Sequence, residues 1–239
     1  MDVTRNYPKA PVTILTGFLG AGKTTLLNRI LTAEHGRRIA VIVNEFGEVG
    51  IDHDLLIASD QEIVQMNNGC ICCTVRGDLL RSLFQLLEHR SNFDTLLIET
   101  TGLADPAPVA QTLLVDERIR AEFTFNRVVT VVDSKHIWNH IDHSTEARAQ
   151  IAFADTILLN KTDLVTAEEL DQLEEKIRPL NAIARLFRTR NSELDLAALF
   201  EMESLELEGK IHTARSLHSG NHPHLEDIET VCIDRRARV

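Results

Sequence analysis

The residues with the clearest chemical character form a glycine-rich run near the start of the chain, from Gly17 to Thr24. The run fits every position of the Walker A pattern for a phosphate-binding loop, and it lies between an apolar strand-like segment and a helical one, as that pattern requires. Glycines let backbone N–H groups turn towards phosphate oxygens, and the start of the following helix adds a partial positive charge. We expect the Lys23 ammonium to reach the β- and γ-phosphates and the Thr24 hydroxyl to bind Mg²⁺. The predicted phosphate site consists of Gly17, Gly20, Ala21, Gly22, Lys23, Thr24 and Thr25.

A second motif, Asn160-Lys161-Thr162-Asp163, directly follows a short apolar run and could recognise the base of a nucleotide. Guanine offers N1–H and N2–H₂, two donors that one carboxylate, here that of Asp163, accepts together, whereas adenine lacks that pair. A buried acceptor left unpaired by the wrong base makes such a site selective. We expect Asn160 to hold the loop and contact guanine N7, and the Lys161 stem to cover the ring. The motif predicts a preference for GTP.

A third motif, Glu99-Thr100-Thr101-Gly102, ends another apolar run and resembles a Walker B strand with Glu in place of Asp. We expect the Glu99 carboxylate to lie near Mg²⁺, through water, and the Gly102 N–H to face the γ-phosphate. Lys23, Glu99 and Gly102 are therefore the predicted catalytic residues. The sequence has no obvious Gln or Arg finger, which predicts slow hydrolysis without a partner.

Three of the four cysteines crowd into Cys70, Cys72 and Cys73. Thiolates select Zn²⁺, Cu⁺ and other soft or borderline metal ions. Apart from the histidines near the C-terminus, no distant Cys/His pair is present to complete a closed tetrahedral site, so the pattern favours an open site with Glu45 and Glu48 as further oxygen ligands. Buried free cysteines and a redox pair are the alternative interpretations.

Composition limits the class of protein. A chain of 239 residues can form one substantial α/β domain with a small appendage. A net charge of -11 argues against a nucleic-acid partner, and no apolar run is long enough to span a membrane. The polar N-terminus does not resemble a signal peptide, so we expect a cytoplasmic protein.

Short apolar runs alternate with helical patterns along the chain, which predicts an α/β fold of the P-loop NTPase type with a mostly parallel sheet covered by helices on both faces. Predicted strands are 12–16, 38–43, 63–66, 95–99, 128–133 and 156–159, and predicted helices include 79–87 and 167–177, the latter with Thr166 as N-cap. A further helix is expected after Asp133, carrying Trp138, His136, His140 and His143 as packing and surface residues.

Taken together and in this order, the motifs resemble the CobW-like family of P-loop metallochaperone GTPases, relatives of UreG and HypB. The resemblance rests on 17–25, 44–48, 68–73, 99–106 and 160–163 and covers roughly 10–205. It implies Mg²⁺-dependent GTP hydrolysis coupled to delivery of Zn²⁺ or Co²⁺ to a client metalloprotein. It also implies metal binding by the CxCC cysteines with Glu45 and Glu48, and it leaves a homodimer open.

The resemblance divides the chain into a GTPase domain with the CxCC motif, 1–208, and a histidine-containing linker with the start of an incomplete C-terminal domain, 209–239. His212, His218, His222 and His224 in that linker are either a metal-acquiring segment or solvated linker residues. Two other functions stay open: a metal-storage or metal-sensing module that binds GTP without transfer, and a P-loop kinase or ATPase in which Asn160–Asp163 is incidental.

Overall fold

The computed structural model describes residues 8–45, 63–67, 74–196 and 199. These residues form a seven-stranded sheet in the order β3-β2-β4-β1-β5-β6-β7, and each neighbouring pair of strands is parallel. The strands are β1 (Ala10–Thr16), β2 (Ile39–Glu45), β3 (Ile63–Asn67), β4 (Thr95–Glu99), β5 (Phe123–Asp133), β6 (Thr156–Asn160) and β7 (Arg185–Arg188). The predicted α/β fold with a parallel sheet is confirmed.

Helices connect the strands. They are α1 (Lys23–Thr32), α2 (Thr74–Glu88), α3 (Pro106–Val115), α4 (Glu117–Glu122), α5 (Thr145–Ala152) and α6 (Ala167–Ile177). Single 3₁₀ turns occur at Arg90–Asn92, Ile137–Asn139 and Thr162–Leu164. Thr166 caps α6 as predicted, because its hydroxyl accepts from the Glu169 N–H while the Glu169 carboxylate accepts from the Thr166 N–H. No helix in the described part of the chain combines the length and apolar character needed to cross a membrane.

Both faces of the sheet are covered by helices, which explains why β4 and β6 each have a central apolar run and are buried throughout. Neighbouring residues of β1 point to opposite faces. Leu15 packs with α1 residues such as Leu27 on one face, whereas Ile14 packs with residues of α2 and α3 on the other. Helices α5 and α6 cover β6 on the same face as α2 and α3.

The segment after Asp133 differs from the sequence prediction. In place of a regular helix, the chain makes one 3₁₀ turn at Ile137–Asn139 and then further turns. The turns have a local cause, since the Asp133 carboxylate accepts from the backbone N–H groups of Lys135 (3.0 Å) and His136 (3.1 Å) and so bends the chain directly after β5. Trp138 is partly buried against the core, as expected of a packing residue.

Because all the described strands run in parallel, their carboxyl ends meet at one edge of the sheet. Ligands of open α/β sheets bind in the crevice outside these ends. The loops after β1, β4, β5, β6 and β7 all open onto this edge, and those after β1, β4 and β6 carry the motifs that the sequence predicts for the nucleotide.

Candidate nucleotide-binding site

The phosphate loop leaves the central strand β1 at Gly17 and lies directly against neighbouring backbone. Gly17 has a φ of +140°, and a Cβ atom there would lie 2.1 Å from the Val131 carbonyl oxygen on β5. Gly22 has a φ of +109°, and its Cβ would lie 2.5 Å from the Asn160 side-chain nitrogen. A side chain at either position would therefore separate the loop from β5 or from the base motif.

Lys23 begins α1 and folds back over the loop. Its Nζ atom donates to the carbonyl oxygen of Gly17 at 2.9 Å and to that of Phe18 at 3.4 Å. The residue is buried, so its ammonium is held inside the curve of the loop rather than in solvent. The structure thus brings a cation and the N-terminus of a ten-residue helix to the same place, an arrangement that suits phosphate groups.

Thr24 and Glu99 meet in front of this loop, although they come from different elements. The Thr24 hydroxyl lies 3.3 Å from Glu99 Oε1, and Glu99 ends β4 with only 6% of its surface exposed. Glu99 is therefore not a strand-terminal carboxylate that faces solvent. A carboxylate and a hydroxyl side by side are oxygen ligands of the kind that Mg²⁺ prefers, so the donor set fits that ion. Thr25, next in the first turn of α1, is exposed.

The turn after Glu99 is bonded to β1 and touches the phosphate loop. The Thr100 N–H donates to the Leu15 carbonyl at 2.9 Å, and the Thr100 hydroxyl donates to that of Thr16 at 2.8 Å. At Gly102, a Cβ would lie 2.6 to 2.7 Å from the side chain and backbone nitrogen of Leu19. Gly102 is therefore in close contact with the loop that is predicted to hold the phosphates.

Asn160 connects the base motif to the phosphate loop. Its side-chain nitrogen donates to the Ala21 carbonyl at 2.9 Å. Its side-chain oxygen accepts from the Ser192 N–H at 2.8 Å and from the Thr189 hydroxyl at 3.2 Å. The Ser192 hydroxyl in turn donates to the Gly22 carbonyl at 3.2 Å. The loop after β7 thus bonds both to the base motif and to the start of α1.

Lys161 is held by a carboxylate at the end of β5. Its Nζ atom lies 2.7 Å from Asp133 Oδ2, and its backbone adopts a left-handed conformation with a φ of +62°. Burial by itself would raise the pKa of Asp133, but hydrogen bonds from Lys161 and His136 outweigh it and leave that pKa below its ordinary value. Asp133 therefore stays ionised and fixes the far end of the Lys161 side chain.

Asp163 lies in the 3₁₀ turn Thr162–Leu164, with its side chain 37% exposed. Arg190 Nε is 3.9 Å from its Oδ2 atom, a long ion pair that is not a tight hydrogen bond. The carboxylate is therefore partly open to solvent near the Asn160–Lys161 turn, where a base edge can approach it.

Sequence reasoning missed several residues that shape this site: Asp133, Gln150, Thr189 and Ser192. Their contacts join segments far apart in the chain, so no local pattern marks them. Asp133 alone carried a signal, because it ends an apolar strand as Glu99 does. The predicted metal ligands Cys70, Cys72, Cys73 and Glu48 lie outside the described residues, as does the side chain of Glu45. Among the residues that are described, no three His, Cys, Asp or Glu side chains are grouped closely enough to hold a metal ion.

The parallel sheet, the Walker A loop after β1 and the carboxylate after β4 define a P-loop NTPase fold. Comparison with known proteins specifies the class further: residues 11–188 match the family described as the CobW/HypB/UreG nucleotide-binding domain. The chain belongs to this family, which confirms the resemblance inferred from its motifs.

Several relatives of this chain have names that state an activity. It is 41% identical over 204 residues to the protein named zinc chaperone YjiA of Escherichia coli (strain K12), which covers 84% of this chain and 64% of the relative. It is 36% identical over 243 residues to zinc-regulated GTPase metalloprotein activator 1 of Schizosaccharomyces pombe, and the match covers 98% of this chain and 58% of the relative. The chain thus spans less than two thirds of the length of these two relatives.

Solved structures agree with the fold. The crystal structure of Zn(II)-bound YjiA GTPase from E. coli has a TM-score of 0.63 and 37% identity, covering 81% of this chain and 62% of that one. A structure of HypB from Helicobacter pylori in complex with nickel has a TM-score of 0.55 at 16% identity, and the match covers 89% of this chain and 91% of that one. At this identity the likeness supports the fold only. Relatives in this family are therefore named as GTPases and as zinc chaperones.

Proposed function

We propose that this chain binds GTP, hydrolyses it with Mg²⁺, and uses the nucleotide state to control a transition metal that it delivers to a client metalloprotein in the cytoplasm. The observation that carries the nucleotide half is the bond between Asn160 and Ala21, because it puts the base motif and the phosphate loop into one site. Membership of a family with members named as GTPases and zinc chaperones supports both halves.

Each predicted site residue has a role in this proposal. The Lys23 ammonium gives up its bonds to the loop carbonyls and donates to phosphate oxygens instead. The loop N–H groups from Gly17 to Thr25 bind the α- and β-phosphates. Thr24 and, through water, Glu99 would hold Mg²⁺, which would neutralise the charge that develops on the phosphates. The Gly102 N–H contacts the γ-phosphate. At the base end, Asp163 accepts from guanine.

Metal is the cargo of the proposed cycle. Cys70, Cys72 and Cys73 bind Zn²⁺ or Co²⁺, with Glu45 and Glu48 as oxygen ligands. Glu45 ends β2, and β2 lies beside β4, whose last residue Glu99 belongs to the Mg²⁺ end of the nucleotide site. This adjacency supports a short path from γ-phosphate to metal. By linkage, a nucleotide that changes metal affinity by a given factor is itself bound more or less tightly by the same factor when metal is present.

Zinc titrations of the protein with a non-hydrolysable GTP analogue, with GDP and without nucleotide test the gating. We expect a different zinc affinity with the GTP analogue than with GDP. A variant with Cys70, Cys72 and Cys73 all changed to Ser should lose the site and keep GTP hydrolysis. Identical zinc affinity in all three nucleotide states would contradict gated transfer and favour a storage or sensing module. The molecular mass of the same samples, measured by light scattering with and without GTP, would also reveal a homodimer.

A further inference from the structure

Gln150 on α5 is a buried side chain that contacts the turn after Glu99. It is 1% exposed, and its Nε2 atom donates to the Gly102 carbonyl at 3.1 Å and to the Ala104 carbonyl at 3.0 Å. A side-chain amide nitrogen carries two hydrogens, so these two bonds use both of them. One side chain therefore binds the turn at two carbonyls, one of them on the residue predicted to contact the γ-phosphate.

Gln150 itself is firmly held. Its helix α5 is capped by Ser144, whose hydroxyl accepts from the Ala147 N–H, and the neighbouring residue Ile151 is buried in the core. The backbone carbonyl of Gln150 accepts a hydrogen bond of 2.8 Å from the Thr130 hydroxyl on β5. The helix and the adjacent strand therefore fix the backbone from which the side-chain amide extends.

The turn is also held on its two other sides. Thr100 bonds to β1 through its backbone and its hydroxyl, and Leu19 of the phosphate loop packs against Gly102. Gln150 adds its two bonds at the Gly102 and Ala104 carbonyls. A bond at the Gly102 carbonyl restricts the planar peptide between Gly102 and Leu103. The Gly102 N–H belongs to the preceding peptide, which is held between this restrained peptide and Thr100, the residue bonded to β1.

We propose that Gln150 is a positioning residue for nucleotide discrimination, which sets the turn so that the Gly102 N–H is directed at a γ-phosphate before the nucleotide arrives. The inference rests on the proposed contact between Gly102 and GTP. A preset donor costs no reorganisation when the ligand binds, so the benefit applies to GTP and not to GDP, which has no γ-phosphate.

The chain offers a matched control in Asn181, another buried amide. Its side-chain nitrogen donates to the carbonyls of Ile151, Ala152 and Ala154 near the end of α5. Both side-chain amides thus donate to backbone carbonyls on or near α5 or its neighbours. In the described part of the chain, only the Gln150 amide bonds to the Gly102 turn.

The experiment compares the wild-type chain with Gln150→Met and Asn181→Leu, which keep side-chain size and remove the donors. Dissociation constants for GDP and for a non-hydrolysable GTP analogue are measured in Mg²⁺, with the thermal midpoint of each protein. Both variants should have lower midpoints. Gln150→Met should also lose about tenfold in its preference for the GTP analogue over GDP, the factor that weakening one hydrogen bond to a charged group carries.

An unchanged preference in Gln150→Met, or an equal loss in Asn181→Leu, would overturn the proposal and leave Gln150 a purely structural residue. If Gln150→Met does not fold, Gln150→Asn decides, because it keeps the amide and withdraws it by one bond of about 1.5 Å. A wild-type chain that binds no GTP would instead contradict the proposed function itself, so the two failures are distinguishable.

Discussion

The side-chain nitrogen of Asn160 donates a hydrogen bond of 2.9 Å to the carbonyl oxygen of Ala21. The two residues are 139 positions apart in the chain. One lies at the end of β6 and the other in the loop after β1, two strands away across the sheet edge. The bond is buried, so the geometry of the phosphate loop and that of the base motif are not independent of each other.

We predict that Asn160→Ala lowers both stability and nucleotide affinity. The substitution removes the partner of the Ala21 carbonyl, the Ser192 N–H and the Thr189 hydroxyl at once. Since a buried polar group without its partner costs about 1–3 kcal/mol, the free energy of unfolding should fall by at least ~2 kcal/mol. Urea denaturation measures this loss. Ser192→Ala removes one hydroxyl bond to Gly22 and should cost less, so equal losses in both variants would contradict the central role of Asn160.

Gly17→Ala and Gly36→Ala should differ sharply in their effects. Both glycines have positive φ, so each substitution carries a backbone cost of about 1–2 kcal/mol. At Gly36 a Cβ meets nothing within 4 Å, whereas at Gly17 it would lie 2.1 Å from the Val131 carbonyl oxygen. Gly17→Ala should therefore displace the loop, with a larger stability loss and weakened GTP binding. Thermal melts and GTP titrations check this, and nucleotide affinity in Gly36→Ala should match the wild type.

The sequence predicted the strands where both faces of the sheet are covered, since there an unbroken apolar run has no other stable location. β4 and β6 appear at the expected positions for this reason. The edge strand β7 was not predicted, because it has only four residues and two of them are exposed arginines. The first part of β5, from Phe123, was also missed, as it mixes apolar and polar residues before the buried run begins.

The site was predictable only where its residues are consecutive. The phosphate loop and the base motif are local patterns, so their spacing is visible in the chain. Asp133 and Ser192 act on the base motif from 28 and 32 residues away, and Gln150 acts on Gly102 from 48 residues away. Such contacts depend on strand order and helix placement, which residue types do not encode by themselves. The prediction of a helix after Asp133 was wrong for a related reason. The Asp133 carboxylate accepts from backbone N–H groups and so competes with a regular helix.

Acid should destabilise the protein partly through Asp133. Its pKa in the folded chain lies below the ordinary value of an aspartate, so its ionised form stabilises the fold. This contribution is complete above the unfolded pKa of about 3.9 and disappears as the pH falls through the lower, folded pKa. Unfolding free energies measured between neutral pH and the acid range should therefore fall less steeply in Asp133→Asn. Lys161→Met should shift the loss of stability to higher pH. Burial raises the pKa of Asp133, and without the Lys161 hydrogen bond less remains to lower it. A pH profile identical in all three proteins would exclude this carboxylate as a source of acid lability.

Asp163→Asn provides the sharpest test of base recognition. A carboxylate accepts both donors of guanine, whereas a carboxamide presents one acceptor and one donor, which matches the N1–H and C2 carbonyl of xanthine. GTP affinity should fall by at least about a hundredfold, the equivalent of losing charge-assisted hydrogen bonds, and XTP should become the better ligand. Asp171→Asn on the exposed side of α6 is the matched control and should leave both affinities unchanged, although it removes the charge that pairs with Arg188. Competition binding among GTP, XTP and ATP is the measurement. If the wild-type chain binds ATP as tightly as GTP and Asp163→Asn alters neither, then the base motif is incidental and the site belongs to a P-loop ATPase or kinase.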